Sequence, residues 1–192
     1  NSGTVVYPSA VIDMPSQFDF YDGGGLDLAA LGYAQVDRLG NVSVSSVNGS
    51  PIGPGGFIDI SQKARRVVFC GSLTGGGLET RLENGVLVIV REGNYSKFVD
   101  TLNEVSFSGA RAVDTGQKVK FVTERAVLIL TANGLEVTEV APGIDLESQV
   151  LSFLPSGCLV SSALTLMDSS LFLDPFFLGV EKVSGATLEG TQ

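Results

Sequence analysis

Short segments that alternate apolar and polar side chains, separated by glycine-rich turns, make up most of the chain. Residues 33–37 and 42–47 alternate in this way, and Arg38-Leu-Gly-Asn41 between them is typical of a hairpin turn. Glu83-Asn-Gly85 predicts a second hairpin, with 86–90 as its returning strand. The same reasoning predicts strands at 66–70, 103–107, 119–123, 126–130 and 135–140. Because 66–70 is almost continuously apolar, we expect that strand to be buried on both faces of a sheet.

Helical patterns occupy shorter stretches between these strands. We expect helices, in chain order, at 26–31, 57–64, 144–154 and 164–173. The clearest of them is 144–154, since Asp145 and Glu147 lie in its first turn, where carboxylates favour a helix. Residues 11–15 and 18–21 are predicted to be extended. Strands mixed with short helices favour one α/β domain, built on an open mixed β-sheet with flanking helices.

The composition fits one folded domain and argues against two classes of partner. With 192 residues, 44% of them hydrophobic, and a mean hydropathy of +0.30, the chain can bury a sizeable core. Its net charge of −9 and pI near 4.4 argue against nucleic-acid binding, which needs a basic face. No apolar run approaches the roughly 18 to 20 residues of a membrane helix. We therefore expect neither a nucleic-acid nor a membrane partner.

Cysteine and histidine content limits the compartment and the chemistry. Cys70 and Cys158 cannot form a disulfide framework, so we expect a reduced, cytoplasmic compartment. Cys70 lies inside an apolar strand, where a cysteine acts as a small hydrophobe. The absence of histidine removes the Ser-His-Asp triad, the Cys-His pair and a histidine-ligated zinc site. The chain begins Asn-Ser-Gly-Thr, without Met or a secretory signal, which suggests an interior piece of a longer protein.

Three glycine clusters, at 23–25, 53–56 and 75–77, are the local features best suited to binding. Glycine in such a position lets the backbone approach a ligand closely and offers N–H groups to an anion. None of the three matches the dinucleotide fingerprint, and none is a Walker A loop, because no Gly-Lys-Ser/Thr follows. Taken singly, each cluster is typical of an ordinary tight turn; three such clusters together favour a binding role for at least one, but composition alone does not choose a ligand.

Several long motifs occur in a fixed order along the chain. The first is Phe18-Asp-Phe-Tyr-Asp-Gly-Gly-Gly-Leu-Asp-Leu-Ala-Ala-Leu-Gly32, followed by Ala34-Gln-Val-Asp-Arg-Leu-Gly-Asn-Val-Ser-Val44 and Gly53-Pro-Gly-Gly-Phe-Ile-Asp-Ile-Ser61. The later ones are Val67-Val-Phe-Cys-Gly71, Val122-Thr-Glu-Arg-Ala-Val127, Val140-Ala-Pro-Gly-Ile-Asp-Leu-Glu147, Met167-Asp168 and Leu171-Phe172. Together they resemble the β half of family I CoA-transferases of the acetate/short-chain acyl-CoA and 3-oxoacid type. The resemblance runs from about Ala10 to Phe172, while 156–164 and the tail after Leu173 depart from it.

The resemblance implies a NagB/RpiA-like α/β architecture and a reaction through a covalent glutamyl-CoA thioester. Coenzyme A is then a substrate, and neither a cofactor nor a metal is expected. In the family the nucleophilic glutamate lies upstream of the Phe-Asp-Phe-Tyr-Asp run, whereas here the first glutamate is Glu79. By resemblance, residues 1–173 are therefore the C-terminal part of a CoA-transferase β domain, with the nucleophile on a missing N-terminal portion. Residues 174–192 are expected to be a divergent, partly disordered tail.

The resemblance also assigns site residues and partners. It makes Gly55 and Gly56 backbone oxyanion donors, and its remaining substrate-binding positions are Gly23, Gly24, Gly25 and Gly53. The expected partners are an acyl-CoA, a carboxylate of short-chain fatty-acid or ketone-body metabolism, the missing portion or a companion chain, and further copies in a homo-oligomer. In a eukaryote the compartment would be the mitochondrial matrix. Two alternatives stay open: an inactive truncated relative acting as a binding or regulatory module, and an isomerase or hydrolase on the same scaffold.

Overall fold

A six-stranded mixed sheet forms the centre of the structure. The computed structural model describes residues 7–47, 50–51 and 53–173. Within these residues the strands are β1 (Leu28–Gly32), β2 (Gln35–Asp37), β3 (Val42–Ser43), β4 (Ser46–Val47), β5 (Ser50–Pro51), β6 (Arg66–Cys70), β7 (Thr74–Gly75), β8 (Glu79–Glu83), β9 (Val86–Arg91), β10 (Tyr95–Ser96), β11 (Phe98–Val99), β12 (Lys118–Val122), β13 (Ala126–Thr131), β14 (Gly134–Val140) and β15 (Leu159–Leu166). The helices are α1 (Met14–Asp22), α2 (Phe57–Lys63), α3 (Gly109–Asp114) and α4 (Leu146–Gln149), with 3-10 helices at Leu151–Phe153 and Ser169–Phe172.

The order of strands in the central sheet is β1-β6-β12-β13-β14-β15. Strands β1, β6 and β12 run parallel, β13 is antiparallel to both of its neighbours, and β15 runs parallel to β14. The register places Leu28, Arg66 and Lys118 side by side at the start of the three parallel strands. The sheet confirms the predicted open, mixed α/β architecture.

One face of the parallel strands carries the core. Val67 and Phe69 of β6 are buried there, and so are Val119 and Phe121 of β12. The ring of Phe57, at the start of α2, stacks on the Phe69 ring with centroids 5.7 Å apart. Helix α2 therefore covers this face of the sheet by burying aromatic surface against it.

The alternate residues of β6 show that the prediction of burial on both faces was wrong for this chain. Arg66 and Cys70 are exposed and Val68 is half-buried, so only every second residue of the strand enters the core. Cys70 thus lies on the surface, contrary to its expected role as a small buried hydrophobe. A strand of period two buries both faces only where another layer covers the second face.

In the first third of the chain, one predicted strand is a helix and one predicted helix is a strand. Residues 18–21, expected to be extended, lie in α1, which starts when the Asp13 carboxylate accepts a hydrogen bond from the Ser16 N–H. Residues 26–31, expected to be helical, contain most of β1, because pairing with β6 outweighs the helix propensity of this leucine- and alanine-rich segment. The predicted strand 42–47 divides into β3 and β4.

Three later predictions were also wrong in detail. Residues 103–107 form no strand and contribute a single bridge, from Phe107 to Val42. The predicted helix 144–154 ends at Gln149, whose carbonyl oxygen accepts a hydrogen bond from the Arg125 guanidinium at 3.0 Å instead of continuing the helix. Residues 164–173 contain the end of β15 and a 3-10 helix.

The turn-based predictions were confirmed. Strands β8 and β9 pair across Asn84 and Gly85, whose φ angles of 52° and 82° suit the two-residue hairpin that Asn-Gly favours. The predicted helix at 57–64 corresponds to α2, and the predicted strands at 66–70, 119–123, 126–130 and 135–140 correspond to β6, β12, β13 and β14. No helix in the described part of the chain is long and apolar enough to span a bilayer. The apolar pair Phe176-Phe177 and the rest of 174–192 lie outside the described residues.

Candidate active site

The direction of α2 decides where the second glycine cluster lies. Helix α2 ends at Lys63, with two residues between it and the start of β6, and it packs against the sheet through Phe57 and Phe69. It therefore runs opposite to β6 and points its first residue toward the carboxyl end of that strand. The loop of residues 53–56, just before α2, lies at the edge of the sheet where open α/β folds bind their ligands.

The backbone of this loop is open to approach. Gly53 and Gly55 adopt φ angles of +80° and +54°, a conformation that favours glycine. A Cβ atom at either position would meet no heavy atom of the described residues within 4 Å. The loop is held at its ends, since the Gly53 N–H donates to the Ser45 carbonyl at 3.2 Å and the Pro54 carbonyl accepts from the Phe57 N–H at 3.1 Å. Space for a ligand thus lies directly beside Gly55.

Gly56 has a separate structural reason to be glycine. A Cβ atom there would lie 2.6 Å from the Phe18 ring of α1, so the absence of a side chain lets α1 pack against α2. The geometry is compatible with the oxyanion roles of Gly55 and Gly56, which stay predictions.

The first glycine cluster is built differently. The N–H groups of Gly23, Gly24 and Gly25 donate to carbonyl oxygens near the end of α1 at 2.8, 3.0 and 2.9 Å. A Cβ atom on Gly24, whose φ is +85°, would lie 3.8 Å from the carbonyl oxygen of Lys63 at the end of α2. These glycines therefore terminate α1, and their N–H groups are already hydrogen-bonded and not available to a ligand.

The structure does not bring the two predicted glycine sites together. Gly23–Gly25 lies beside the last residue of α2, and the 53–56 loop precedes its first residue. The seven residues of α2 separate them by about 10 Å, from the helical rise of 1.5 Å per residue. The substrate-binding role predicted for Gly23, Gly24 and Gly25 stays a prediction, and in this arrangement it would rest on shape.

The third glycine cluster, at 75–77, begins at the end of β7 and forms the turn that leads into β8. Residues Thr74–Gly75 pair with Tyr95–Ser96, and the Tyr95 ring covers Gly75 so closely that a Cβ atom would lie 2.6 Å from it. The Arg91 side chain donates to the Gly77 carbonyl at 2.9 Å. Packing and turn geometry account for this cluster.

Sequence reasoning missed a charged network at the same edge of the sheet. Arg125, just after β12, is fully buried and donates to both carboxylate oxygens of Glu92 at 2.8 and 2.9 Å. Its Nε donates to Glu124 at 2.6 Å, and its guanidinium carbon lies 5.7 Å from the centre of the Phe153 ring. The signal for it was the charged pair in Thr123-Glu-Arg-Ala126, set between two apolar strands.

The two glutamates fasten loops to the sheet. Glu124 accepts a hydrogen bond from the Leu73 N–H at 2.9 Å, and Glu92 accepts from the Thr74 hydroxyl and from the Gly93 N–H. All of these bonds satisfy charges that would otherwise be costly to bury. The network is therefore a rigid support for the carboxyl edge, and its two carboxylates are occupied by Arg125.

Titration behaviour follows from these contacts. Hydrogen bonds from Arg125 lower the pKa of Glu92 to about 2, with burial opposing them. Burial opposes the charged form of Arg125, and the hydrogen bonds and charges of Glu92 and Glu124 outweigh it and raise the pKa of Arg125. Burial, followed by the nearby Glu124 charge, raises the pKa of Tyr33. Glu92 and Arg125 are thus charged near neutral pH, which suits structural support better than proton transfer. Among the described residues no group of three or more Cys, Asp or Glu side chains is arranged to hold a metal ion.

Comparison with known proteins relates the chain to one group of enzymes. No family model matches the chain. It is 47% identical over 172 residues to the acetate CoA-transferase YdiF of Escherichia coli K12. This alignment covers 90% of this chain and 32% of the relative. It is 40% identical over 190 residues to the caffeate CoA-transferase of Acetobacterium woodii, covering 96% of this chain and 36% of the relative.

The fold agrees with these relatives. The crystal structure of the YdiF apoenzyme from E. coli O157:H7 superposes with a TM-score of 0.87 at 47% identity, over 91% of this chain and 34% of that one. The thioester complex of the same protein with CoA gives 0.86. The chain spans about a third of the length of the relatives it matches. Close homologues of this chain are thus family I CoA-transferases. Its fold agrees with the corresponding third of the YdiF chain.

Proposed function

We propose that this chain forms one wall of the active site of a CoA-transferase, which moves CoA between an acyl-CoA and a short-chain carboxylate or 3-oxoacid. The observation that carries the proposal is the 47% identity to an acetate CoA-transferase over nine-tenths of the chain. The open loop with Gly53 and Gly55 lies at the edge of the sheet where that reaction needs backbone access.

The chemistry we propose is nucleophilic catalysis by a glutamate. The glutamate carboxylate attacks the acyl-CoA carbonyl and expels CoA thiolate, which leaves a mixed anhydride. The thiolate then attacks the glutamyl carbonyl of the anhydride, releases the first carboxylate and forms a glutamyl-CoA thioester. The second carboxylate reverses these steps and leaves as its own CoA thioester. A thioester complex with CoA is the state of one crystallised relative, which supports this sequence.

In this scheme the loop of residues 53–56 stabilises the oxyanion. Each attack turns a carbonyl oxygen into an oxyanion, and backbone N–H groups aimed at it lower the barrier. Gly55 and Gly56 are our candidates for those donors, because the loop is held at its ends and is open to approach beside Gly55. A side chain at Gly55 would occupy the space that the thioester needs.

The nucleophile itself belongs, in our proposal, to a portion of the transferase outside this chain. The first glutamate here is Glu79, in a surface hairpin, and Glu92 and Glu124 are engaged by Arg125. The active enzyme would then be a larger chain or a complex, assembled further as a homo-oligomer. Coenzyme A would be a substrate, no cofactor would be required, and the reaction would take place in the cytoplasm.

Intact-mass analysis under denaturing conditions tests this proposal. The native-source protein is incubated with acetyl-CoA, denatured and weighed. We expect a CoA-sized adduct on a polypeptide segment other than this chain's 192 residues, and we expect acetate to remove it, because the acceptor consumes the thioester. An adduct on this chain itself would contradict our placement of the nucleophile. The absence of any adduct would favour the alternative, a truncated relative that acts as a binding or regulatory module.

A further inference from the structure

The parallel strands present one face that nothing in the described part of the chain covers. Its residues alternate with the buried ones and lie in register across the three strands. We call this the open face; its residues are Leu28, Ala30, Arg66, Val68, Cys70, Lys118 and Lys120. Leu28 is 50% exposed, and all the others are exposed except Val68, which is half-buried.

Such a face is unusual for parallel strands. Parallel sheets are found almost only with both faces covered, because their crossover connections lie over them. Here helix α2 lies over the opposite face, where Phe57 stacks on Phe69. On the open side, the β8–β9 hairpin reaches only the neighbouring corner, where Leu87 and Ile89 pack with Val122 and Val127. Among the described residues the sheet therefore lacks a layer beside β1 and β6.

The charge on the open face restricts what can cover it. It carries Arg66, Lys118 and Lys120, and none of the residues of β1, β6 and β12, all of which are described, is acidic. A second copy of this chain, docked through the same face, would bring like charges together. A partner with apolar residues above Ala30 and Val68 and carboxylates at its rim would match the face.

We propose that the open face is the docking surface for the portion of the transferase polypeptide that lies outside this chain. This inference rests on the proposed function, and it gives the companion portion a position on the fold. The chain matches only 32% to 36% of its relatives' length, yet its fold agrees with one of them at a TM-score of 0.87. The same sheet thus occurs inside a chain about three times as long, whose remaining length is available to form the missing layer.

Alkylation of Cys70 measures whether the face is covered. Cys70 is exposed on the open face, whereas Cys158 is half-buried and burial raises its pKa to about 11. In the isolated 192-residue chain, iodoacetamide should modify Cys70 much faster than Cys158, and slow reaction of Cys158 serves as the control for an intact fold. In the native-source assembly, Cys70 should react at least about tenfold more slowly than in the isolated chain. Equal rates for Cys70 in the two preparations would overturn the proposal.

Two other occupants have distinct outcomes, each of which would also overturn it. Protection of Cys70 in the isolated chain that rises with protein concentration would assign the face to a second copy. Protection in the isolated chain that disappears when the chain is cut after Leu173 would assign it to residues 174–192. The CoA adduct is a separate readout, so failure of the proposed chemistry and failure of the docking proposal can be told apart.

A matched pair of variants tests the face without relying on a thiol. Ala30 and Ala110 are both exposed, the first on the open face and the second on α3. Ala30→Arg should leave unfolding of the isolated chain almost unchanged and should reduce co-purification of the companion portion at least about tenfold. Ala110→Arg should preserve co-purification. Equal recovery of the companion with both variants would refute the open face as the docking surface.

Discussion

Two glycine loops lie at opposite ends of α2, and they differ in what their N–H groups do. At Gly23–Gly25 all three N–H groups bond to the carbonyl oxygens of α1, so the glycines serve the helix that precedes them. In the 53–56 loop the chain is fixed at its ends, and the space beside Gly55 is empty of described atoms. A glycine cluster in a sequence is thus compatible with a closed helix end or with an accessible backbone, and hydrogen bonding distinguishes the two.

The helices that carry these loops differ in the same sense. Helix α1 has no buried residue among its nine, and the Phe20 side chain is 56% exposed. Helix α2 buries Phe57 and Ser61 against the sheet. The accessible loop therefore stands on the better-anchored helix, which is what a site that positions a reacting carbonyl requires.

The largest expected effect comes from removing that anchor. Phe57→Ala deletes a buried ring stacked on Phe69 and should lower the free energy of unfolding by about 3–5 kcal/mol. Phe20→Ala, the matched change on α1, should cost less than about 1 kcal/mol, because that ring is largely in solvent. Urea denaturation of the 192-residue chain measures both. Similar losses for the two variants would mean that α1 is anchored as firmly as α2.

The next prediction separates the loops by activity. Gly55→Asn and Gly24→Asn both place asparagine where φ is positive, at +54° and +85°, and asparagine tolerates that conformation. Each should cost less than about 1 kcal/mol of stability. In the native assembly, Gly55→Asn should slow CoA transfer by about 100-fold, the usual scale for losing oxyanion stabilisation, while Gly24→Asn should change it less than about twofold. Transfer rates with acetyl-CoA and a carboxylate acceptor measure the difference.

Gly56→Val is a weaker version of this experiment. Because its side chain would collide with the Phe18 ring, it should reduce stability and activity together.

Comparable activity losses for Gly55→Asn and Gly24→Asn would place both loops in contact with substrate and remove the distinction drawn between them.

The parts of the fold that the sequence predicts correctly are those with local causes. Asn84-Gly85 has the left-handed backbone of its hairpin, and the apolar segments 119–123 and 126–130 become β12 and β13. The alternation at 18–21 covers only four residues, too few to distinguish a strand from a helix. The segment is helical, and the ends of this helix are set by the Asp13 cap and by the glycines after Asp22. Residues 26–31 became strand through pairing with β6, a contact between distant parts of the chain that no local pattern encodes.

The site divides in the same way. The accessible position of the 53–56 loop follows from α2, which the sequence predicted, and from the direction of β6. The charged pair Glu124-Arg125 is visible in the sequence, but its partners Glu92 and the carbonyl of Gln149 are up to 57 residues apart, so only the fold shows what the pair contacts. The open face was hidden because the apolar sequence of β6 suggests burial on both sides whether or not the covering layer is present.

A smaller effect concerns the start of α1. The Asp13 carboxylate accepts hydrogen bonds from Ser16, which lower the pKa of Asp13 below its ordinary value. A lowered pKa means that this cap contributes above the unfolded value of 3.8 and is lost as the pH falls below it. Asp13→Ala at pH 7 should therefore speed amide hydrogen exchange at Gly23–Gly25 several-fold and leave exchange in α2 unchanged, as measured by NMR. Faster exchange in both helices would show that the two loops are coupled.

The smallest expected effect tests why Gly25 is glycine. A Cβ atom there would lie 2.3 Å from the Phe20 ring, but that ring is the mobile end of an exposed side chain and can move aside. Gly25→Ala also restricts the unfolded chain, which stabilises by about 0.4–1 kcal/mol when the backbone is compatible. The two contributions should nearly cancel in the wild type, whereas in a Phe20→Ala background the stabilising one should be left alone. A loss of more than about 2 kcal/mol of unfolding free energy in both backgrounds would exceed the usual cost of a surface substitution. It would show that contacts other than the Phe20 ring require glycine at position 25.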